Sequence, residues 1–188
     1  MAEVVETSSS GFIAQCYELY GAPSLGCVLK TGNPPTYAVL KNVVSGALDP
    51  GRRVLPRGAE EFQDEDVYRN NPQLVKLLNT RMEASIVGFE QDGKSRPGLP
   101  PSSPRLHAAV YVCSPNEVER FTIDTDFLRL LLDTRTPVND EVIVACLNAA
   151  ANCHSDPRGF LVTAGRSLAR GLRDDLGRLD AILGRLGK

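Results

Sequence analysis

The chain has 188 residues, of which 42% are hydrophobic and 23% are charged. That length fits one ordinary domain, or a small domain with an extension, and the composition is typical of a folded globular chain rather than a disordered one. A formal net charge of -2 excludes a chain-wide positive field that would gather nucleic acid or an anionic membrane, and only local basic patches remain for that purpose.

The first residues and the cysteines predict where the protein works. Residues 1–10 lack the basic start and the apolar run of a secretory signal, and no stretch approaches the roughly 20 apolar residues that a membrane-spanning helix needs. The five cysteines are odd in number and lie in apolar segments, as reduced thiols do when they serve as small hydrophobic side chains. We therefore expect a cytoplasmic protein with no disulfide framework and no membrane insertion.

Residues 1–113 contain short extended runs rich in branched and aromatic side chains, and Gly, Pro and Asn separate them. Five candidate strands result, at residues 11–20, 25–30, 36–44, 81–89 and 106–113. In the third of these, side chains alternate between faces, so Tyr37, Val39 and Val43 are predicted to share one face. Five strands are enough to close a small β-barrel.

A long polar loop at residues 45–66 interrupts this part of the chain. Loops longer than about 12 to 15 residues are uncommon in compact domains and are usually functional or mobile. This one contains Arg52, Arg53 and Arg57, followed by a run of acidic residues. A short helix is predicted after it, at residues 72–79, where Pro72 precedes an apolar stripe that is able to cap one mouth of the barrel.

From residue 114 the pattern becomes helical. Ser114 and Glu117 have the spacing of a capping box, in which the serine and the glutamate three positions later satisfy free backbone donors at a helix start. The predicted fold class is therefore α+β, with a β-barrel domain at residues 1–113 and a helical region at residues 114–188. The barrel is expected to be small and the helices to form a C-terminal extension.

One long helix is predicted from Pro157 to the C-terminus, with leucines along one stripe and arginines on the other face. Glycines in this segment cost the helix roughly 1 kcal/mol each relative to alanine, so its stability must come from packing against something else. The leucines of the stripe are Leu161, Leu168, Leu172, Leu176, Leu179, Leu183 and Leu186.

The sequence predicts no catalytic, cofactor-binding or metal-binding residues. Cys146 and Cys153, followed by His154, lie seven positions apart, which does not fit the paired spacing of zinc ligands. The chain has no glycine-rich phosphate-binding loop of the usual kinds. The acidic run lacks the alternation and central glycine of a calcium loop and is interpreted as a solvated surface. It comprises Glu60, Glu61, Asp64, Glu65 and Asp66.

Residues 11–32 and 36–53 resemble the HAS-barrel, the small barrel at the N-terminus of HerA-type ATPases and of the catalytic subunits of rotary ATP synthases. Over its whole length the chain is similar to a group of uncharacterised cyanobacterial HAS-barrel proteins. The resemblance implies a non-catalytic element that joins neighbours or docks accessory proteins. It implies nothing about ATP hydrolysis, because residues 114–188 do not resemble a nucleotide-binding domain. The match depends on Gly11, Phe12, Gly26, Val28 and Gly32.

The leading hypothesis is a non-enzymatic interaction or assembly module without a cofactor, which binds another protein or a second copy of itself. One alternative is a nucleic-acid-associated accessory protein of an ATPase, because the loop and the tail contain arginines. Another is an enzyme with a site between barrel and tail that uses His154 or a cysteine. The candidate interaction residues are Arg52, Arg53, Arg57, Leu168, Leu172, Leu176, Leu179, Leu183 and Leu186.

Overall fold

A computed structural model describes residues 1–49, 51–59, 63–133 and 137–187, without the side chains of residues 64 and 137. It has the predicted α+β class, with a β-barrel followed by helices. The strands are β1 (Ala2–Thr7), β2 (Gly11–Cys16), β3 (Val28–Thr31), β4 (Thr36–Ala47), β5 (Leu78–Gln91), β6 (Lys94–Pro97) and β7 (Ala109–Val112).

Six of these strands close the barrel. Their order is β2-β1-β7-β3-β4-β5, and β5 pairs with β2 to complete the circle. Every pairing is antiparallel, and β6 lies outside the closed set as a hairpin partner of β5. Closure leaves most strand edges paired, which removes the exposed hydrogen-bonding groups that open sheets carry.

The strand boundaries differ from the predicted ones in several places. The sequence analysis did not predict β1, although Ala2 and Val4 are buried and alternate with Glu3, as expected for a half-buried strand. It did not predict β6 either. The first predicted strand ends at Cys16, and the residues after it run across the mouth of the barrel. The last predicted strand is confined to Ala109–Val112.

A β-bulge divides β4 into two parts. The pairing register with β5 shifts between Leu40 and Asn42, so the side chains after the shift no longer follow the earlier alternation. The prediction that Tyr37, Val39 and Val43 share one face of β4 is therefore wrong. Tyr37 and Val39 pack towards the helices, whereas Val43 lies opposite Met82, whose side chain belongs to the barrel interior.

The molecule has two hydrophobic cores. The first fills the barrel with inward-facing side chains that include Phe12, Leu40 and Met82. The second lies between the outer face of β3, β4 and β5 and the C-terminal helices, where the Tyr37 ring stacks on Phe121 at a centroid distance of 4.7 Å. The middle strands are therefore buried on both faces, which explains their continuous apolar sequence.

The helices are α1 (Asp64–Asn70), α2 (Leu74–Leu77), α3 (Pro115–Thr122), α4 (Leu128–Leu132), α5 (Pro137–Ala151), α6 (Pro157–Gly171) and α7 (Leu176–Leu183), with a 3₁₀ turn at Thr125–Phe127. The capping box that begins α3 is confirmed, because the backbone N–H of Ser114 donates to Glu117 Oε2 at 2.9 Å. The predicted helix at residues 72–79 is shorter than expected, since β5 begins at Leu78. The sequence analysis did not predict α1.

The predicted long C-terminal helix is two helices. At Gly171 an added Cβ would lie 2.6 Å from Leu132 Cδ1, and α6 ends there in close contact with α4. Asp175 then begins α7, since its side chain accepts a hydrogen bond from the backbone N–H of Arg178 at 3.2 Å. The packing partner that the glycine-rich segment requires is the protein's own second core.

Gly26 sets the distance between barrel and helices. Its φ of +79° belongs to the left-handed region, and an added Cβ would lie 2.5 Å from the backbone nitrogen of Cys146 in α5. The Gly26 N–H also donates to the carbonyl of Leu40 at 2.8 Å. Any side chain here would strain the backbone and push α5 away from the barrel.

We predict that Gly26→Ala lowers the free energy of unfolding by about 3 kcal/mol or more. Backbone strain alone costs about 1 to 3 kcal/mol, and the steric conflict with α5 adds to it. Urea unfolding followed by circular dichroism measures the change. Gly177→Ala is the matched control, since that helical glycine has no atom near its added Cβ and the substitution should be neutral or stabilising. Equal stability of the two variants would contradict this assignment.

A second prediction concerns Glu117, which forms an ion pair with Lys30 of β3 and accepts bonds from Ser114. The Lys30 contact and the Ser114 bonds lower the pKa of Glu117 to about 2. A carboxyl whose pKa is depressed by folding stabilises the folded state above its ordinary pKa, and this contribution disappears as the pH falls towards the folded value.

The stability advantage of the wild type over Glu117→Gln should therefore be present at neutral pH and shrink as the pH falls from about 4.5 towards 2. Glutamine preserves the capping arrangement, so the comparison isolates the charge. Urea unfolding midpoints across this range test the prediction. A difference that stays constant with pH would show that the ion pair does not stabilise the fold.

Candidate partner-binding groove

A groove of about 570 Å³ lies at the barrel mouth where β2 ends. Its lining comes from the end of β2 and the residues after it, from the start of β5 and from α2. Tyr68 of α1 contributes beside Tyr20. The apolar and aromatic surface of the groove comes from Tyr17, Tyr20, Leu48, Tyr68, Val75 and Leu78. We call this feature the mouth groove.

The backbone of Tyr20 is held in an unusual conformation. Its φ is 63°, which is uncommon for a bulky residue. The Tyr20 N–H donates to Thr80 Oγ1 at 2.8 Å, and its hydroxyl lies 2.5 Å from that of Tyr68. The two rings meet edge to face at 6.1 Å. These contacts fix the wall of the mouth groove, so an incoming ligand meets a largely prearranged surface.

The mouth groove leaves large apolar side chains in contact with solvent. Tyr17 is 65% exposed and Tyr20 is 60% exposed, while Leu48 and Val75 are each about half exposed. Isolated exposed apolar residues are normal, whereas a contiguous group of them is typical of a binding surface. The mouth groove is such a group.

The long loop that contains the candidate arginines begins at the mouth groove, because Leu48 lines it. The loop leaves β4 where the Leu48 N–H donates to the Leu77 carbonyl at 2.8 Å, and it returns at Gly58, close to Val67 of α1. Residues 51–59 are all exposed, and they include the apolar Val54 and Leu55. The described part of the loop therefore leaves from the edge of the mouth groove, and its arginines are exposed to solvent.

Of the three candidate arginines, Arg52 approaches Asp49, at 3.9 Å. Arg53 and Arg57 form no ion pair with any residue that the structure describes. The acidic residues at 60 and 61 lie outside the described residues, so their prediction as a solvated surface applies to the sequence alone. Farther along, Asp66 pairs with Arg69 within α1 at 2.5 Å.

The structure divides the candidate leucines into two groups. Leu168, Leu172 and Leu179 are buried in the second core, and Leu186 is partly buried against it. Leu176 is 65% exposed and Leu183 is 37% exposed. The expected stripe does not form one surface, because α6 and α7 turn most of it towards the protein's own interior.

The arginines of the tail also make contacts within the chain. Arg178 bonds to Asp140 at 2.7 Å in a largely buried pair that ties α7 to α5. Arg185 pairs with Glu141 and donates to the Ala181 carbonyl. These two cations join helices of the same chain, so the basic character of the tail serves its packing at both positions.

The histidine and the cysteines that were considered for catalysis make contacts within the chain or are buried. His154 Nε2 lies 2.8 Å from Thr122 Oγ1, and its ring stacks on Phe160 at 4.1 Å. All five cysteines are free, and burial raises the pKa of Cys113 and of Cys146 to about 12, which keeps both thiols protonated. Among the described residues, no three His, Cys, Asp or Glu side chains converge as metal ligands would.

An exposed histidine contact was not predicted. His107 has a φ of 65°, and its Nδ1 lies 2.6 Å from Glu3 Oε1, while the Tyr17 hydroxyl donates to Glu3 Oε2 at 3.2 Å. Both bonds lower the pKa of Glu3, with His107 as the larger cause. This contact joins the segment before β7 to β1, a strand that the sequence analysis did not predict.

Sequence reasoning identified the long loop but not the mouth groove. Tyr17 and Tyr20 fell inside a predicted strand, and Tyr68 fell in a helix that was not predicted. The break at residues 21–23 was the available signal, because a chain leaving a sheet there must cross the barrel mouth.

No protein-family model matches this chain, and no curated protein matches it. Within the described residues, no helix combines the length and the apolar character needed to cross a bilayer. The assignment of function therefore depends on the surface geometry described above.

Proposed function

We propose that this protein is a non-enzymatic interaction module that binds another protein through the mouth groove. The observation that carries the proposal is the group of exposed aromatic and aliphatic side chains next to an arginine-containing loop. Tyrosine and arginine are the residue types that most often dominate binding energy at protein interfaces, where surrounding contacts exclude water. The mouth groove supplies the tyrosines, and the loop that begins at its edge supplies the arginines.

The chemistry of the surface defines the partner. A complementary segment supplies apolar side chains that cover Tyr20 and Val75, and each well-buried side chain contributes up to roughly 1.5 to 3 kcal/mol. Carboxylates next to that apolar segment meet Arg53 and Arg57, which have no described ion-pair partner. Arginine binds carboxylates through two parallel hydrogen bonds, which adds orientation to the attraction. We therefore infer an acidic segment with apolar anchors.

The resemblance to HAS-barrels of the uncharacterised cyanobacterial type supports the same proposal. The structure has a closed six-stranded barrel, which is compatible with that family. The resemblance implies an element that joins neighbours or docks accessory proteins. Exposed Leu176 and Leu183 provide a secondary contact in this proposal, replacing the full leucine stripe. A cytoplasmic location fits the five unpaired cysteines.

Affinity capture from the native organism tests the proposal when wild type is compared with matched variants. Val75→Asp and Arg57→Glu should each abolish or strongly reduce retention of the same protein, since one places a charge in the mouth groove and the other reverses the attraction. Val162→Asp is the control, because Val162 is equally exposed but lies on α6. Retention unaffected by both groove variants would refute the proposal.

A second candidate function is binding of single-stranded nucleic acid, and one observation favours it. Three tyrosines line the mouth groove together with Leu48, the residue at which the arginine-containing loop begins. Stacking of bases on aromatic rings next to basic side chains is the usual basis of sequence-tolerant binding. Glu18 lines the same groove, and its negative charge repels the phosphates of a nucleic acid. For this reason protein binding ranks first.

Fluorescence anisotropy with a labelled single-stranded oligonucleotide distinguishes the two. If nucleic acid is the ligand, the affinity falls steeply as salt rises, and Arg53→Ala reduces the salt dependence by about one counterion. Tyr20→Ala should then weaken binding without changing the salt dependence. Absence of binding at low salt would eliminate this candidate and leave the protein partner.

A further inference from the structure

Among the strands that the structure describes, the outer half of β4 has a neighbour on one side only. On one side it pairs with β5 along its whole length, to Ala47. On the other side β3 pairs with it only from Thr36 to Val39, and bonds between Leu40 and residues 26–27 end that contact. None of the described strands lies beside residues 43–47 there. We call this stretch the free edge.

The hydrogen-bond pattern shows which backbone groups the free edge presents. The Leu48 N–H donates to the Leu77 carbonyl, so residue 48 points its backbone groups towards β5. In an antiparallel pair the direction alternates, and residues 46 and 44 therefore also point towards β5. Val43, Ser45 and Ala47 point away, and each offers one N–H and one C=O to the free edge.

The free edge lacks the features that normally protect an exposed strand. Natural proteins place charges, prolines or covering segments on such edges to prevent pairing with another chain. Residues 42–47 contain neither a charge nor a proline, and Val44 is 56% exposed. Lys41, the nearest cation, bonds to Glu83 at 2.8 Å on the neighbouring strand.

We propose that the free edge pairs antiparallel with the free edge of a second copy of this chain, across a two-fold axis at Ser45. Only residues that point outward are able to bond across the axis, so the register is restricted. With Ser45 opposite the partner's Ser45, Val43 lies opposite the partner's Ala47, and the reverse contact follows by symmetry. This register uses every outward-pointing group of residues 43–47.

The side chains fit the same register. Val44 lies opposite the partner's Gly46, and Val43 opposite the partner's Ala47, so each larger side chain meets a small one. The residues that flank the two ends of the free edge, Lys41 and Asp49, carry opposite charges, and the Asp49 side chain is 65% exposed. An antiparallel pair brings the end that carries Lys41 next to the partner's end that carries Asp49. This complementarity is the reason for choosing a second copy over an unrelated strand.

This inference goes beyond the proposed function, because it concerns the strand edge and not the mouth groove. Experiments are able to contradict the proposed function and the proposed dimer independently of each other. A variant of the groove such as Val75→Asp leaves the free edge intact and should still form dimers, whereas a variant of the free edge should still bind the groove partner as a monomer.

Sedimentation velocity over a wide range of protein concentration tests the inference. The wild type should convert from monomer to dimer as concentration rises. Ala47→Pro removes an outward N–H without disturbing the bonds to β5, and Val44→Lys brings two like charges near the axis. Each should weaken self-association by roughly tenfold or more. Val54→Lys adds the same charge at an exposed loop position and should leave dimerisation unchanged.

A cross-linking experiment tests the register independently of affinity. Cysteine pairs form disulfides when their Cα atoms are about 4.4 to 6.8 Å apart, a range that includes directly opposed residues of antiparallel strands. Ser45→Cys should therefore give a covalent dimer on mild oxidation, whereas Val54→Cys should not.

Circular dichroism and thermal unfolding establish that the edge variants remain folded. A wild type that is monomeric at every concentration would overturn the inference. So would dimers that persist in both Ala47→Pro and Val44→Lys, or a Ser45→Cys variant that cross-links no faster than the wild type. A free edge that instead binds a strand from a different protein, with the chain itself monomeric, would also reject it.

Discussion

The burial of one short stretch of sheet on both faces is the constraint that shapes this molecule. In the first half of β4, Ala38 and Leu40 face the barrel interior while Tyr37 and Val39 face the helices. The same strand therefore contributes to both cores and holds them together. Gly26 makes this arrangement possible, because only a residue without a side chain allows α5 to approach the barrel so closely. The barrel and the helices are consequently stabilised by the same residues.

The surfaces proposed for binding lie where this double burial ends. Past the bulge at residues 40–42, β4 leaves the cover of the helices and of β3, and its backbone and its valines become exposed. The long loop and the mouth groove lie at the same end, because the chain that connects β4 to β5 must run beyond the barrel wall. Packing is thus concentrated at one end of the long hairpin, and the surfaces proposed for binding lie at the other.

The sequence predicted what depends on local pattern and missed what depends on contacts distant in the chain. The α+β class and the capping box at Ser114 were confirmed, since turn residues and helix-start chemistry are local signals. The common face of β4 was wrong because a bulge changes the alternation without a sequence marker. The single C-terminal helix was wrong because leucines separated by helical spacing also fit two helices folded onto one core. Tyr20, Tyr68 and Val75 line one groove only after folding, so no spacing rule indicated it.

One buried hydroxyl joins the two surfaces. Thr80 Oγ1 accepts the N–H of Tyr20, and the same atom lies 2.8 Å from Ser45 Oγ. Thr80 itself is almost fully buried, so neither contact is readily replaced by water. A molecule that moves the tyrosine backbone would alter the bonding of the serine at the centre of the strand edge, and the reverse holds equally. If both proposed surfaces bind, this shared hydroxyl would couple the two binding free energies while leaving each surface able to bind without the other.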